Sequence, residues 1–386
     1  MENLLWQAWQ RPVKVTAVKA HGHRSPLKRP FITAARRTDG VDYVVVDVEI
    51  DTATGQFTGQ GSAAETVKVT GESAQTILTI INDTVRDRLT GAHGTLEELY
   101  ALVRECTPKA TSARAAVDVA LHDAVSRSLE LPLGLLLSGY PGASFAPETL
   151  EARIQNDMTV SLDAPTAMAE KASEAAADGY SILKIKLGSD PEEDRTRLAA
   201  VMEAAPNATL RLDANQGWSP AEAIQLIDKF TNDNLPIDLI EQPVPRDDLD
   251  GLAYVTQNSP IPIMADEALW SPKDADRIIE LNAANLLNIK LAKTGGLQPA
   301  LQIAEKARTA GMECMVGAMM EPRISITAGA HLAAVHPAVT MIDLDPPAWF
   351  ANDVPEGGYM ENNGFIALTP GPGLALKRLE PETDPL

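Results

Sequence analysis

Cysteine is nearly absent: only Cys106 and Cys314 occur in 386 residues. Two thiols so far apart supply neither a disulfide framework nor a zinc cluster, and a reducing, cytoplasmic setting is the expectation. Long apolar runs are also missing. None approaches the roughly 20 residues that span a bilayer. The first stretch, "MENLLWQAWQRPVKV", has no basic start, long apolar core or small-residue cleavage site, so no signal peptide is expected. Positive charge is in short supply, with 33 Lys and Arg against 53 Asp and Glu and a net charge of −20. Such a surface repels phosphate backbones and anionic membranes, which excludes nucleic acid and membrane as expected partners. It does not exclude an anionic substrate, because a bound metal reverses the field locally.

What remains is ordinary for a globular protein: 45% hydrophobic and 22% charged residues. The length fits two domains, or one large barrel with an accessory layer. Residues 12–75 read as β-structure, with "DYVVVDVEI" and "GQFTGQGSA" as strands around a turn at Asp51–Gly55. Residues 74–135 read as helical from apolar spacings of three and four, and Pro132 and Gly139 punctuate their end. Beyond residue 157 the texture changes. Eight short apolar runs alternate with helical patterns: "DMTVS", "SILKIK", "TLRLD", "IDLIE", "IPIMAD", "NLLNIK", "ECMVG" and "TMIDLD". Alternation predicts a parallel sheet with crossover helices, and eight units predict an α/β fold of the (β/α)8 barrel type. An open doubly wound sheet is the alternative, but no Gly-rich phosphate fingerprint follows its first strand. The expected division is an N-terminal α+β capping domain over 1–135, a barrel over 136–350, and a Gly- and Pro-rich tail over 351–386 that returns to the first domain.

The last residues of five successive runs are polar: Lys186, Asp213, Glu241, Asp266 and Lys290. By difference of position, the steps are 27, 28, 25 and 24 residues, each about one βα unit. These side chains are therefore expected at one end of adjacent strands, the carboxyl mouth where barrel active sites lie. Three converging carboxylates need a cation between them, and all-oxygen ligation favours Mg²⁺, with Mn²⁺ as the substitute, over zinc. Asn215, two residues after Asp213, is placed to support that shell. Lys184 and Lys186 are two apart on a strand and so share a face. Burial and a nearby cation are expected to lower a lysine pKa toward neutrality, making it usable as a base. Lys290 lies four strands further round. Opposed lysines about a metal suit inversion of a carbon next to a carboxylate. The ion stabilises the enediolate while one lysine removes the α-proton and the other reprotonates the opposite face. Lys184 is either a modulator of Lys186 or a structural lysine paired with a carboxylate.

Together, "KIK" at 184–186, "DANQGW" at 213–218, "EQP" at 241–243, "ADE" at 265–267 and "NIKLAKTGG" at 288–296 resemble the enolase superfamily, in its muconate-lactonizing-enzyme subgroup. Lysine bases with Mg²⁺-stabilised enediolates are the established chemistry of that superfamily. The resemblance implies Asp213, Glu241 and Asp266 as metal ligands, Lys186 and Lys290 as the acid/base pair, Lys184 as its modulator, and Asn215 and Glu267 in the outer shell. At the eighth run, "MIDLDPP" is similar to dipeptide epimerases, of the L-Ala-D/L-Glu type, in which two aspartates hold the substrate's ammonium group. Asp343 and Asp345 share a face and suit that role; the alternative is that they cap the strand end in solvent. "PLKRPFITAARRTDG" resembles the specificity loop, and Arg36 matches an arginine of members acting on Ala-Glu, although Arg36 or Arg37 is equally readable as a surface arginine. Two departures stand out. Ser62 occupies an acidic position of the pattern, and "PPAWF" replaces smaller aliphatic residues, with Trp349 and Phe350 either shaping the pocket or joining the core.

The function expected is a Mg²⁺-dependent epimerase of a dipeptide substrate. Within the same subgroup, o-succinylbenzoate synthase, N-acylamino acid racemase and muconate cycloisomerase are the alternatives, and a non-catalytic metal-binding barrel is a further one. A homo-oligomer is compatible with the sequence, which does not set the subunit count.

Overall fold

The computed structural model describes residues 2–32, 37–142, 145–188, 190–352 and 355–381. The N-terminal part is a four-stranded antiparallel sheet in the order β3-β2-β1-β4, formed by β1 (Val13–Ile32), β2 (Arg37–Thr52), β3 (Gly55–Ala64) and β4 (His93–Gly94). Val44, Val45 and Val46 are all fully buried, so β2 is covered on both faces. One cover is the helix Thr111–Ser128, whose Ala-rich surface lets β3 come close. A Cβ on Gly59 would lie 2.2 Å from the backbone of Ala120 and Ala124, and one on Gly61 would lie 1.9 Å from Ala116 O. The two glycines of "GQGS" therefore serve helix–sheet contact. The same helix faces the second part, where Asp118 accepts from the backbone N–H of Leu297 at 2.5 Å.

The second part is a parallel eight-stranded sheet. After the short β5 (Ile154–Gln155), its strands are β6 (Met158–Val160), β7 (Ile182–Lys186), β8 (Thr209–Asp213), β9 (Ile237–Glu241), β10 (Ile263–Ala265), β11 (Leu286–Lys290), β12 (Glu313–Gly317) and β13 (Val339–Asp343). They follow one another in sequence order across the sheet. Side chains join β6 to β13. Asn156 accepts from Leu344 N at 2.9 Å, Asp345 accepts from Thr159 N at 2.8 Å, and Arg211 reaches both Asp157 (2.8 Å) and Ile342 O (3.0 Å). The result is a nearly closed (β/α)8 barrel. Last come β14 (Tyr359–Asn362) and β15 (Phe365–Leu368), a hairpin paired with β5. Beyond it the chain meets the N-terminal part: Arg378 binds Asp47 at 2.9 Å, and Leu374 N donates to Asp123 at 2.8 Å. No helix among the described residues is long and apolar enough to cross a membrane.

Two histidines make barrel stability depend on pH. His331 Nδ1 accepts from Gly134 N at 3.2 Å, and His336 Nδ1 accepts from Ala338 N at 3.3 Å, so both rings are held neutral. Burial depresses His331 to about 3, and burial, against the pull of Glu305, depresses His336 to about 4. The unfolded chain takes up these protons from about pH 6.5 downward and the native state does not, so this contribution is complete above 6.5 and lost as pH falls. Each histidine contributes about 1.4 kcal/mol per pH unit across that window. Buried carboxylates with raised pKa act in the opposite sense, so the readout is a difference. Between pH 6.5 and 5, wild type is expected to lose about 1.4 kcal/mol per unit more in urea unfolding than His331→Gln. Equal slopes would show that His331 is not held neutral.

Candidate active site

Strand register gathers the polar residues at the carboxyl end of the barrel. Lys186 pairs with Asp213 and Asp213 with Glu241 across β7, β8 and β9; Lys290 pairs with Gly317 and Gly317 with Asp343 across β11, β12 and β13. Asp266 follows β10 by one residue. Directly after these strands the backbone enters the left-handed region at residues other than glycine: Gln242 (φ 38°), Asn215 (φ 43°) and Gln216 (φ 67°). Such strain persists only where the surroundings impose it, and it marks this rim.

Lys184 sits at the centre, 1% exposed. Its ammonium lies 2.5 Å from Glu241, 2.7 Å from Asp343 and 3.4 Å from Asp213. It thereby ties opposite sides of the barrel together. Lys186 binds Asp213 at 2.5 Å, and Lys290 binds Asp266 at 2.8 Å. The two lysines that face the cavity are thus four strands apart. Lys184 is the carboxylate-paired lysine that the sequence left as one of two readings, and this explains a buried pair of lysines on one strand.

The charges are strongly coupled. Burial opposes the charge of Asp266, but Lys290 and Lys293 outweigh it and hold the carboxyl well below the usual range; Lys186 and Lys184 likewise outweigh burial and lower Asp213. Burial and Asp213 push Glu241 up to about 7, and burial and Asp266 push Glu267 up to about 7. Asp343 is held at about 2, Lys184 outweighing burial, whereas burial and Asp343 itself raise Asp345 to about 6. The expected lowering of the lysines supposes a bound cation; the protein's own groups alone act the other way at Lys184 and Lys290. Burial by itself lowers them, but Asp343 and Glu241 around Lys184, and Asp266 and Glu241 around Lys290, outweigh it and raise both.

The donor set fits a hard divalent cation. Asp213, Glu241 and Asp266 offer only oxygen, carboxylates exceed ammonium groups here, and the buried Asn215 Oδ1 and Glu267 Oε2 have no hydrogen-bond partner. Glu241 Oε2 likewise lacks hydrogen-bond geometry, despite its closeness to Lys184. The carboxylates are not gathered into a ready cage: among the described residues no three acidic, His or Cys side chains are grouped to hold a metal. Their oxygens are instead shared with the lysines. Asn215 donates to Glu267 at 3.3 Å, and its backbone N–H donates to Asp213 at 3.0 Å.

Three further residues had no role in the sequence reading. Lys293, three positions after Lys290 and fully buried, donates to the carboxylate and backbone carbonyl of Asp266. Gln242 accepts from Asp266 N at 2.9 Å and Ala268 N at 3.1 Å, fixing the loop that carries Asp266. Asn288 donates to Glu241 at 2.8 Å. All three stand inside the quoted motifs, and only contact distances reveal what they hold.

The cavity above this centre measures about 450 Å³, and its walls include Lys186, Lys290, Asp343, Asp345, Met319 and, from the N-terminal sheet, Phe31. Asp343 and Asp345 are buried, 5% and 3% exposed, so they are not solvent caps; they do not share a strand face as expected, because β13 ends at Asp343 and Asp345 starts the helix Pro346–Trp349. A larger hollow of about 710 Å³ lies behind Trp349, beside Arg29, Tyr180 and Glu361. It lacks the lysine and carboxylate centre and is not the site of the chemistry. Ser62 hydrogen-bonds Ser325 of the helix Arg323–Val335 at 2.7 Å, so the departure at that position still joins the two parts. Arg36 lies outside the described residues. Arg37 is exposed and paired with Asp39 at 3.0 Å.

A barrel with opposed lysines and carboxylates at its carboxyl mouth, beneath an α+β N-terminal unit, has the architecture of the enolase superfamily. The chain belongs to the mandelate racemase / muconate lactonizing enzyme family: residues 14–138 match its N-terminal domain and residues 167–380 match the enolase C-terminal domain-like model. It is 41% identical over 361 residues to the L-Ala-D/L-Glu epimerase of Clostridium acetobutylicum, covering 92% of this chain and 97% of that one. The structure of the substrate-liganded L-Ala-D/L-Glu epimerase from Bacillus subtilis superposes with a TM-score of 0.87 at 35% identity, over 94% of this chain and 98% of that one. The dipeptide epimerase from Enterococcus faecalis V583, complexed with Mg and L-Leu-L-Tyr, superposes with a TM-score of 0.85 at 34% identity, over 95% of this chain and 100% of that one.

Proposed function

We propose that this chain is an isomerase that inverts the α-carbon of the C-terminal residue of a dipeptide, with L-Ala-L-Glu as the leading substrate. The observation that carries the reading is the pair of cavity-facing lysines on opposite sides of one cluster of carboxylates, with two further aspartates on the neighbouring wall. Asp213, Glu241 and Asp266 would hold Mg²⁺, and Asn215 and Glu267 would steady that shell. The Mg-containing complex of the E. faecalis relative supports this choice of metal. A divalent ion held by these carboxylates would supply positive charge against the substrate carboxylate and against the charge that develops as the α-proton leaves. One of Lys186 and Lys290, as the neutral amine, would take the α-proton while the other, as the ammonium, delivers a proton to the opposite face, and Lys184 holds the carboxylates in place between them. Asp343 and Asp345 receive the substrate's ammonium group, which sets the ligand length at two residues. A longer peptide would carry its ammonium past both aspartates and forgo that charge-assisted pair. Arg36 selects an acidic second side chain through a charge-assisted pair. The setting proposed is cytoplasmic.

The test is a dipeptide library incubated in D₂O and read by mass spectrometry, followed by kcat/KM across L-Ala-L-Xaa for wild type and Arg36→Ala. The expected result is α-deuteration of dipeptides, preference for an acidic second residue, and loss of that preference in the variant. Preference for an apolar or cationic second residue, unmoved by the substitution, removes the Ala-Glu assignment. Rapid turnover of N-succinylated amino acids without dipeptide activity overturns the dipeptide reading.

A further inference from the structure

The run "PPAWF" is one of the two departures from the family pattern, and both of its aromatic residues are 2% exposed. Trp349 has a specific attachment besides its packing. The helix Pro346–Trp349 begins immediately after Asp345. Pro346 and Pro347 preset the backbone of its first turn, and the spacing of four places Trp349 on the face of Asp345. The indole Nε1 donates to Asp345 Oδ2 at 3.1 Å, the same oxygen that accepts from Thr159 N at 2.8 Å. Two donors from different elements therefore fix this carboxylate.

The other side of the indole is held by the far half of β1. Phe31, which also lines the cavity, meets Trp349 edge-to-face at 5.2 Å and 89°. The Arg29 guanidinium lies over the indole at 5.0 Å from its centroid. Lys28 donates to Ala348 O at 2.9 Å, and Ala351 N donates to Pro26 O at 2.9 Å. The β1 ribbon is therefore docked on the segment that orients Asp345.

We propose that Trp349 is a positioning residue: it holds Asp345 in the orientation that receives the substrate's ammonium group and transmits docking of the β1 ribbon to that carboxylate. The inference rests on the dipeptide reading above. Its consequence is selectivity for a free amino group, with little effect on proton transfer.

Trp349→Phe keeps the ring and removes the donor. With L-Ala-L-Glu, KM is expected to rise roughly tenfold, the scale of one lost hydrogen bond to a charged group, with kcat nearly unchanged. L-Ala-α-aminoisobutyrate, which has no α-proton to exchange, and its N-acetyl form are the competitive ligands. Wild type should prefer the free amine, and Trp349→Phe should reduce that preference about tenfold by weakening the amine alone. Equal weakening of both ligands shows a merely structural tryptophan and overturns the proposal. In an Asp345→Asn background, Trp349→Phe should remove no further preference; a further loss overturns action through Asp345. Phe31→Leu should reduce the preference in the same direction and add nothing to Trp349→Phe, whereas additive losses overturn the transmission from the ribbon. Wild type that binds both ligands equally overturns the dipeptide reading, and the inference with it.

Discussion

Lys186→Ala and Lys290→Ala are each expected to stop α-proton exchange from one hand of the second residue while the other hand still exchanges. The two ammonium groups approach from β7 and β11, half the barrel apart, on partners that do not overlap: Asp213 for Lys186 and Asp266 for Lys290. A planar carbanion-like centre between them has one lysine above and one below. Removing either blocks inversion, which needs both, but leaves the remaining lysine able to wash out the proton it faces. Net epimerisation should fall by roughly 10² to 10⁴ or more, the usual contribution of a positioned acid or base. The measurement is proton NMR of L-Ala-L-Glu and L-Ala-D-Glu in D₂O with saturating Mg²⁺. Exchange of both hands at the wild-type rate in Lys290→Ala requires a different base and ends the two-lysine scheme.

Asp266→Asn is expected to remove Mg²⁺ binding and activity, and also to unfold the protein more easily. Lys293 is completely buried, and its contacts are Asp266 and the backbone carbonyl of Asn288. Removing the carboxylate's charge leaves an ammonium group in the interior without its counter-ion, at a cost of about 3–5 kcal/mol. The double variant Asp266→Asn/Lys293→Met removes that stranded charge and should recover part of the loss in urea unfolding, Lys290 being left with Glu241 at 3.8 Å, while calorimetry still finds no Mg²⁺ site. Metal affinity and stability are thereby separated on one residue. Wild-type Mg²⁺ affinity in Asp266→Asn would sink the ligand assignment. A double variant as unstable as the single one would show that Lys293 does not depend on Asp266.

The barrel was legible because its code is local. Seven of the eight quoted runs contain a whole barrel strand and the eighth holds all of β13 but Val339, since a short apolar run between helical patterns has few other ways to bury itself in a parallel sheet. The polar residues at Lys186, Asp213, Glu241 and Lys290 were legible for the same reason: a recurring step of one βα unit brings equivalent ends together. The capping strands were less legible. β1 runs from Val13 to Ile32 through two prolines, and only pairing along β2 makes it a strand.

The sequence by itself determined the barrel and the polar ring at its mouth. These depend on backbone periodicity, which is written residue by residue. Only the tertiary structure decided which charges meet. Lys184 crosses to Glu241 and Asp343, Lys293 turns back on Asp266, Gln242 holds the loop beyond the next strand, and Trp349 joins the β1 ribbon to Asp345. It also decided which carboxylates act on each lysine. Burial and neighbouring carboxylates pull an ammonium group in opposite directions, and the winner depends on separations of a few ångströms between residues remote in the chain.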